Sequence, residues 1–479
     1  MTEARKVAGE YRGAVHVLPG AATGGFTNLG SQYFDHATPG MPTDDGSPDR
    51  HSKINDFGSA LASGDFDHDG FDDLAIGSVH DRFRILYGGP SGLSTAEARM
   101  FRLADVAPAD DVPGEGVVGE NLFGYSFTVG DFDGDGTDDL VAGASRAGLD
   151  WAGGVAVFRG TPGGLNAGAA QWIRGDAPGL PITAETDGFG AVLASADFDS
   201  DGRDDLAIGF DRDGLGEKSF AGSVVILPGA AGGVSIAASR VFTQDTPGVP
   251  DAPEWYDGFG HALAAGDLTG DGYADLVVTA RSEGLNSTAG NRGGSLTVLR
   301  GSPGGLTVGG AQYWTQQTPG VPGSDDPAVL FGWVLAFADF DRDGRGDVAV
   351  ASPEEVVGGV EGAGAITIFR GNSEGLTTTG LRRLDAATPG LPTNLRTQYS
   401  YFGSVLHTVR QPDGAASLVV GFTSATVADL QRAGMVLVLP STSDEFGRRA
   451  ITGSGLTTWS GVNLPAGPQA FGTLGIALS

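Results

Sequence analysis

Asp65-Phe66-Asp67-His68-Asp69-Gly70-Phe71-Asp72-Asp73 begins eight residues beyond the pair Phe57-Gly58, and four more copies follow later Phe-Gly pairs in the same register. They read Asp131-Phe132-Asp133-Gly134-Asp135-Gly136-Thr137-Asp138-Asp139, Asp197-Phe198-Asp199-Ser200-Asp201-Gly202-Arg203-Asp204-Asp205, Asp267-Leu268-Thr269-Gly270-Asp271-Gly272-Tyr273-Ala274-Asp275 and Asp339-Phe340-Asp341-Arg342-Asp343-Gly344-Arg345-Gly346-Asp347. The Phe-Gly pair recurs at Phe57, Phe123, Phe189, Phe259, Phe331, Phe402 and Phe471, at spacings of 66 to 72 residues. A period that covers nearly the whole 479-residue chain marks a repeat architecture, so length alone does not imply three ordinary domains.

Within each unit the order is fixed. An apolar stretch precedes the aspartate turn, and a short strand follows, such as Asp73-Leu74-Ala75-Ile76-Gly77. Then come a second run such as Arg84-Ile85-Leu86-Tyr87-Gly88, a glycine turn, and an aromatic-bearing strand such as Arg99-Met100-Phe101-Arg102-Leu103. Four short strands between Gly, Pro and Asp turns, with no 3.6-residue periodicity, read as an all-β meander. The 81 glycines, more than twice the usual share of roughly 7%, fit many tight turns. Such meanders repeated radially make a β-propeller, which leaves only short, protected edges.

At the chain ends, Gly13-Ala14-Val15-His16-Val17-Leu18-Pro19-Gly20 matches the third strand of a unit and Ser31-Gln32-Tyr33-Phe34 the fourth, whereas residues 471–479 supply only a first. The expectation is one domain over 1–479, an all-β, seven-bladed β-propeller of four-stranded antiparallel blades. Blades start near 57, 123, 189, 259, 331 and 402, and residues from 471 onward join 1–56 in a closing blade shared between the termini. Nothing in residues 1–12 reads as its second strand, which predicts a longer native N-terminus.

In each aspartate string the side chains at positions 1, 3, 5 and 9 converge with the backbone carbonyl at position 7, supplied by Phe71, Thr137, Arg203, Tyr273 and Arg345. Glycine at position 6 permits the sharp turn, and Thr269 takes position 3 of the fourth copy. Oxygens gathered in this way suit a hard cation, and Ca²⁺ is the expected ion, about five per chain. Acidic turns without metal are common, but these strings hold 22 of the 59 acidic residues, and uncompensated they would repel one another. Five equivalent sites are not one active site, so the role expected of the metal is structural. The sixth repeat, Arg410-Gln411-Pro412-Asp413-Gly414-Ala415-Ala416-Ser417, lacks the carboxylates and should be metal-free.

A net charge of -30, a pI near 4.3 and three lysines exclude the basic footprint of a nucleic-acid-binding protein. With no cysteine, disulfides, Cys-ligated zinc and thiol catalysis are excluded. No apolar run reaches the length of a membrane-spanning helix, so membrane insertion is not expected.

The period, the Phe-Gly marker and the aspartate string resemble the FG-GAP repeats of the integrin α-subunit N-terminal β-propeller. The linkers Thr246-Pro247-Gly248-Val249-Pro250, Thr318-Pro319-Gly320-Val321-Pro322 and Thr388-Pro389-Gly390-Leu391-Pro392 resemble those of bacterial, actinobacterial-type FG-GAP proteins. The Gly-Ala-Pro that gives the repeat its name survives only as Gly143-Ala144-Ser145 and Ala351-Ser352-Pro353. The resemblance implies a seven-bladed propeller with calcium between the first two strands of a blade, in an exported or surface protein. Extracellular calcium modules bind at about 10⁻⁴ to 10⁻³ M, which independently favours an extracellular or cell-surface location although the chain shows no signal peptide.

If the 1–2 and 3–4 turns share the calcium rim, the longer 2–3 and 4–1 connections form the opposite face. That face carries Trp151, Trp255, Tyr256, Arg281, Arg396, Tyr399 and Tyr401, aromatics and cations suited to a protein or carbohydrate ligand. Gly371-Asn372-Ser373-Glu374-Gly375 has the spacing of a hydrolase nucleophile elbow but occupies a glycine turn. Arg174-Gly175-Asp176 and Arg345-Gly346-Asp347 are read as turn and loop residues, and His261 and His407 as core or channel packing. Two readings stand. One is a calcium-stabilised secreted or surface binding and adhesion module, monomeric or part of a larger surface protein. The other is a propeller enzyme, a polysaccharide lyase or hydrolase, working at the channel mouth with a Tyr base such as Tyr256 or Tyr399 beside Arg281 or Arg396. No catalytic motif singles the enzyme out.

Overall fold

In a computed structural model, residues 2–460 are described apart from 8–9, 21–25, 43–53, 56, 79–81, 113–120, 149–150, 183–187, 284–292, 324–328, 393–394, 396, 412, 423–434 and 444–448, with side chains of 2–12 and 54–55 also outside the description. Six successive sheets repeat one plan, four strands hydrogen-bonded in chain order and antiparallel. The second blade shows it: Phe123–Gly130, Asp139–Ala144, Gly154–Phe158 and Gln171–Arg174 lie side by side. The sixth blade carries one extra strand, with Arg449–Ile451 and Thr457–Trp459 both paired to Met435–Ser443.

The Phe-Gly pair explains how blades pack. Phe57, Phe123, Phe189, Phe259, Phe331 and Phe402 are each at most 1% exposed, and the glycine behind each has a positive φ, for example 81° at Gly124 and 88° at Gly190. The left-handed turn brings the glycine carbonyl against the second strand of the preceding blade. A Cβ on Gly77 would lie 1.9 Å from the Gly124 oxygen, and one on Gly143 2.0 Å from that of Gly190. Only glycine permits such an approach.

Second and third strands read as continuous apolar runs and are buried along their length, as in Asp205–Phe210 and Ser223–Leu227. Their side chains point to both neighbouring blades. The core is accordingly a chain of clusters between sheets: Phe83, Phe101, Phe123 and Phe158 join the first and second blades, and Leu276, Val278 and Phe259 meet Val224 and Phe242 of the third.

The described residues contain six complete blades rather than the seven expected. At the N-terminus, Glu10–Val17 pairs antiparallel with Gln32–Phe34, as the third and fourth strands predicted there. Thr2–Val7 pairs along Glu10–Val17 in the second-strand place, which corrects the expectation that residues 1–12 supply none. Ile54–Asn55 adds a short parallel pairing to the same strand. The first strand assigned to Phe471 onward lies outside the described residues. Val15 and Phe34 of this sheet pack on Leu74, Ile76 and Leu86 of the first blade, and Leu18 and Phe26 on Val419, Val436 and Val438 of the sixth.

Candidate functional site

Each aspartate loop joins the first two strands of its blade and is shaped by its own carboxylates. Position 1 accepts from the amides of positions 5 and 6, as Asp65 does from Asp69 (2.9 Å) and Gly70 (2.9 Å). Position 5 accepts from the amide of position 7, at 2.9 Å for Asp69 and Phe71, Asp135 and Thr137, Asp201 and Arg203, and Asp343 and Arg345, and at 3.1 Å for Asp271 and Tyr273. Position 9 is a buried staple. Asp73 takes the amide of Phe66 on one oxygen and that of Gly88, beyond the third strand, on the other. Asp139, Asp205, Asp275 and Asp347 repeat this with Gly160, Gly229, Gly301 and Gly371.

The loops also grip the next blade. The carbonyl at position 2 receives a donor from the following 3–4 turn, Thr161 N to Phe66 O (3.1 Å), Ala230 N to Phe132 O (3.0 Å) and Ser302 N to Phe198 O (3.1 Å). The 1–2 and 3–4 turns therefore share a rim. Asp138 and Asp204, at position 8, turn away from their own loops and cap the amides of Asp65 (2.9 Å) and Asp131 (3.0 Å) in the preceding one. Ala274 and Gly346 occupy position 8 in the fourth and fifth loops, where only the backbone bonds to Asp197 and Asp267 remain.

Three carboxylates come within 4.8 Å of one another in four of the loops: Asp65, Asp67 and Asp73; Asp131, Asp133 and Asp139; Asp197, Asp199 and Asp201; and Asp339, Asp341 and Asp347. Burial pushes Asp73, Asp139 and Asp347 up to about 7 and Asp205 up to about 6, the mark of carboxylates crowded out of water without a sufficient counter-charge. A dication answers that demand, and the donor set of carboxylates plus a turn backbone is the hard-oxygen kind. In the fourth loop Thr269 directs its hydroxyl to Asp267 (3.2 Å).

Sequence reading missed a second source of positive charge, the residue just before the stapled glycine at the end of the third strand. Arg370 places Nη1 2.8 Å from Asp341 and 2.7 Å from Asp347, while Nη2 donates to the Arg449 carbonyl (2.9 Å). Arg300 lies 3.1 Å from Asp275 and 3.6 Å from Asp271, and Arg159 lies 3.5 Å from Asp133. The corresponding residues in the first and third blades are Tyr87 and Pro228. Among the described residues no arginine or lysine pairs with Asp65, Asp67, Asp69 or Asp73 of the first loop, whereas in the third loop Arg203 Nη1 donates to Asp201 (3.0 Å). The five loops are thus electrostatically unequal. A signal was present in the sequence, since Phe158-Arg159-Gly160, Leu299-Arg300-Gly301 and Phe369-Arg370-Gly371 align.

In the sixth loop Ser417 stands in the staple position and accepts from Gln411 Nε2 (2.7 Å), and Asp413 is held by Arg449. No acidic trio forms there among the described residues.

On the opposite face the aromatics sit at three different seams. Trp255 and Tyr256, each 57% exposed, belong to the connection into the fourth blade, where Tyr256 stacks on Phe220 with centroids 5.4 Å apart. Tyr399 and Tyr401 lie 6.0 Å apart on the connection into the sixth blade, with the Tyr399 hydroxyl donating to Glu361 (3.1 Å). Trp151, in the second blade, lies under the Arg146 guanidinium at 5.8 Å. Arg281 is drawn to Asp211 (3.7 Å), which also holds His261 (3.2 Å), and Arg396 lies outside the described residues. His407 is half-buried in its strand with its ring against the Thr408 backbone.

The set-aside motifs resolve structurally. Ser373 and Glu374 form the two-residue turn between paired Asn372 and Gly375. Arg174 is consumed by Asp176 (2.9 Å) and by buried Asp111.

An FG-GAP repeat model matches residues 57–78, 123–158, 189–227, 259–299 and 331–369. The chain is 32% identical over 242 residues to integrin alpha pat-2 of Caenorhabditis briggsae, covering 48% of this chain and 18% of that protein. It is 30% identical over 250 residues to phosphatidylinositol-glycan-specific phospholipase D of Rattus norvegicus, covering 51% and 27%. The chain therefore spans well under a third of the length of these relatives. Among solved structures, a mutant of AofleA from Arthrobotrys oligospora is similar at a TM-score of 0.43 and 10% identity, over 88% of this chain and 91% of that one. No helix among the described residues is long and apolar enough to cross a membrane. The chain thus carries FG-GAP repeats on a β-propeller of four-stranded blades and is similar over about half its length to integrin α subunits.

Proposed function

We propose that this propeller is an extracellular or cell-surface recognition module that holds calcium along one rim and binds a protein ligand on the other face. The observation that carries it is the division of labour between the two ends of the blades. One end repeats the same carboxylate loop blade after blade, as a brace would. The other end varies, and exposes Trp255, Tyr256 and Tyr399 on loops fixed at blade seams. Similarity to integrin α subunits supports a protein ligand, and a carbohydrate remains the alternative chemistry for the same aromatics.

Calcium binds most tightly in the first loop, where no tethered cation competes. The fourth and fifth loops, with Arg300 and Arg370 in place, bind it more weakly. Affinities of about 10⁻⁴ to 10⁻³ M suit the millimolar calcium found outside cells. The N-terminal sheet, seated between the sixth and first blades, serves as a seventh blade, completed by the residues from 471 onward. Its apolar contacts to both neighbours support that closure.

The enzymatic reading gains nothing from the geometry. Arg281 and Tyr399 are engaged with Asp211 and Glu361 at different seams. The test is a thermal melt with calcium and with EDTA, joined to metal analysis and to binding against panels of matrix proteins and glycans. A calcium-dependent midpoint and binding lost in Trp255→Ala without a change in melting support the module. Glycan turnover, or a metal-free chain indifferent to EDTA, refutes it.

A further inference from the structure

We propose a second kind of cation site, on the face opposite the aspartate loops, in which Glu254, Asp257, Glu283 and Gln244 bind a hard divalent cation at the seam between the third and fourth blades. One carboxylate oxygen from each of Glu254, Asp257 and Glu283 lies within 4.8 Å of the others. Asp257 is 1% exposed and Glu283 2%. Gln244, 3% exposed, projects into the same seam from the end of the third blade and donates Nε2 to Glu283 Oε2 at 2.8 Å. Its Oε1 receives no donor. Three carboxylates converge beside a buried amide whose oxygen is unpaired, and such a group of acceptors, two of its three carboxylates buried, calls for a cation.

The next seam provides an internal comparison. There Gln316 Nε2 donates to Glu355 Oε2 at 2.9 Å, in the same arrangement of glutamine from one blade and glutamate from the 2–3 loop of the next. Gln316 also leaves its Oε1 without a donor, so the amide is common to both seams and the charge is what differs. Glu355 is neutralised by Arg383, whose Nη1 donates to its other oxygen at 2.8 Å. Strand pairing places Tyr313 at the third–fourth seam where Arg383 stands here, since Thr297 pairs with Tyr313 and Thr367 with Arg383. Buried Val329, two residues before Phe331, stands where Asp257 precedes Phe259. The third–fourth seam therefore has Tyr313 where the next has its arginine, and the buried carboxylate of Asp257 where the next has Val329. Lys218 is nearby, but its ammonium donates to the Pro253 carbonyl at 2.6 Å, one positive charge against three negative.

Without an ion, burial beside Asp257 and Asp251 holds the Glu283 carboxyl well above the usual range, so a proton is the rival occupant. All-oxygen ligation by carboxylates and an amide selects calcium-like ions over softer metals. The site would also fix the loop that presents Trp255 and Tyr256, because Asp257 already ties that loop together through the Glu254 amide and, by its carbonyl, the Ser282 amide (3.1 Å).

The test compares the calcium content of the full chain with those of Glu283→Gln and Asp257→Asn, each dialysed against 1 mM calcium and counted by inductively coupled plasma mass spectrometry. Both variants are near-isosteric, and circular dichroism checks that each is folded. The expected result is one calcium fewer per chain in each variant, and calcium affinity at this site weakened about 10- to 100-fold in Gln244→Leu. An equal count in wild type and both variants overturns the proposal and leaves a proton as the occupant. Because the readout is a difference, it does not depend on how many ions the aspartate loops hold.

Discussion

Replacing Arg370 by methionine separates a tethered cation from a bound one. The guanidinium reaches Asp341 (2.8 Å) and Asp347 (2.7 Å), the Asp347 side chain is 1% exposed, and the rest of the arginine is itself mostly buried. Removing one partner of a buried pair typically costs about 3–5 kcal/mol, because the remaining charge has no counter-ion. Asp347 can take up a proton instead, since burial already holds it near 7, so the lower end, about 3 kcal/mol, is expected in EDTA. Unfolding entropy of about 2.1 cal/mol/K per residue gives about 1 kcal/mol/K for 479 residues, hence a midpoint lowered by about 3 °C. Calcium should reverse this. At a free concentration 100 times its dissociation constant, an ion contributes about 2.7 kcal/mol, nearly the whole deficit. The assay is a set of four melts, wild type and Arg370→Met in EDTA and in about 10 mM calcium, that concentration being about 100 times a 10⁻⁴ M dissociation constant. A gap of about 3 °C in EDTA that closes in calcium supports competition between arginine and ion for one set of carboxylates. The same gap in both conditions would refute it, since Arg370 would then be only a packing residue.

In EDTA, melting temperature should fall as pH rises from about 4 to 7. Asp73, Asp139 and Asp347 keep protons to about pH 7 that the unfolded chain releases near 3.9, so the folded state binds more protons across that window. The calcium-dependent gain should grow over the same rise, because the ion requires ionised carboxylates; melts at pH 5 and 7 check both signs. Phe132→Ala empties a fully buried site under the second loop and should cost about 3–5 kcal/mol, read by chemical denaturation. Gly143→Ala drives a Cβ to 2.0 Å from the Gly190 oxygen and should abolish recovery of folded protein, whereas Gly304→Ala, with open space around it, should melt within a degree of wild type.

The features most legible in the sequence were those fixed by local backbone demands. Phe-Gly requires a buried ring and a left-handed residue at every seam, and the aspartate string requires a sharp turn, so both recur with little variation. The fold class and the rim followed from them. Interactions between elements distant in the chain were less visible. Asp138 caps the amide of a residue 73 positions away, and Arg370 meets Asp347 across the neighbouring strand, 23 positions back, so neither announces its partner by spacing. The exposed aromatics lie on 2–3 and 4–1 connections, but their grouping into separate seams depends on which 2–3 loop packs on which 4–1 connection. The N-terminal second strand was missed because residues 2–7, Thr-Glu-Ala-Arg-Lys-Val, are mostly charged or polar and are recruited by pairing along Glu10–Val17 rather than by an apolar pattern of their own.

The same chemistry recurs at both ends of the blades and accounts for the difference between equivalent positions. A propeller places carboxylates at every seam, and each cluster must be neutralised in a low-dielectric setting or lose stability. The chain uses two solutions interchangeably. Arg370, Arg300 and Arg383 neutralise from within, which fixes those seams whatever the solution contains. Among the described residues the first loop, and the seam of Glu254, Asp257 and Glu283, have no arginine on their carboxylates and leave the charge to be met from outside. Internal arginines make part of the ring independent of calcium, while the arginine-free sites make the rest responsive to it. Partial calcium removal should therefore loosen particular seams, the first on the rim and the third–fourth on the recognition face, before the ring as a whole unfolds. Hydrogen exchange in EDTA should show faster exchange at Asp73–Gly77 than at Asp347–Ser352. Uniform loss of protection across all blades would show instead that the ring responds as one cooperative unit and that the arginines confer no local independence.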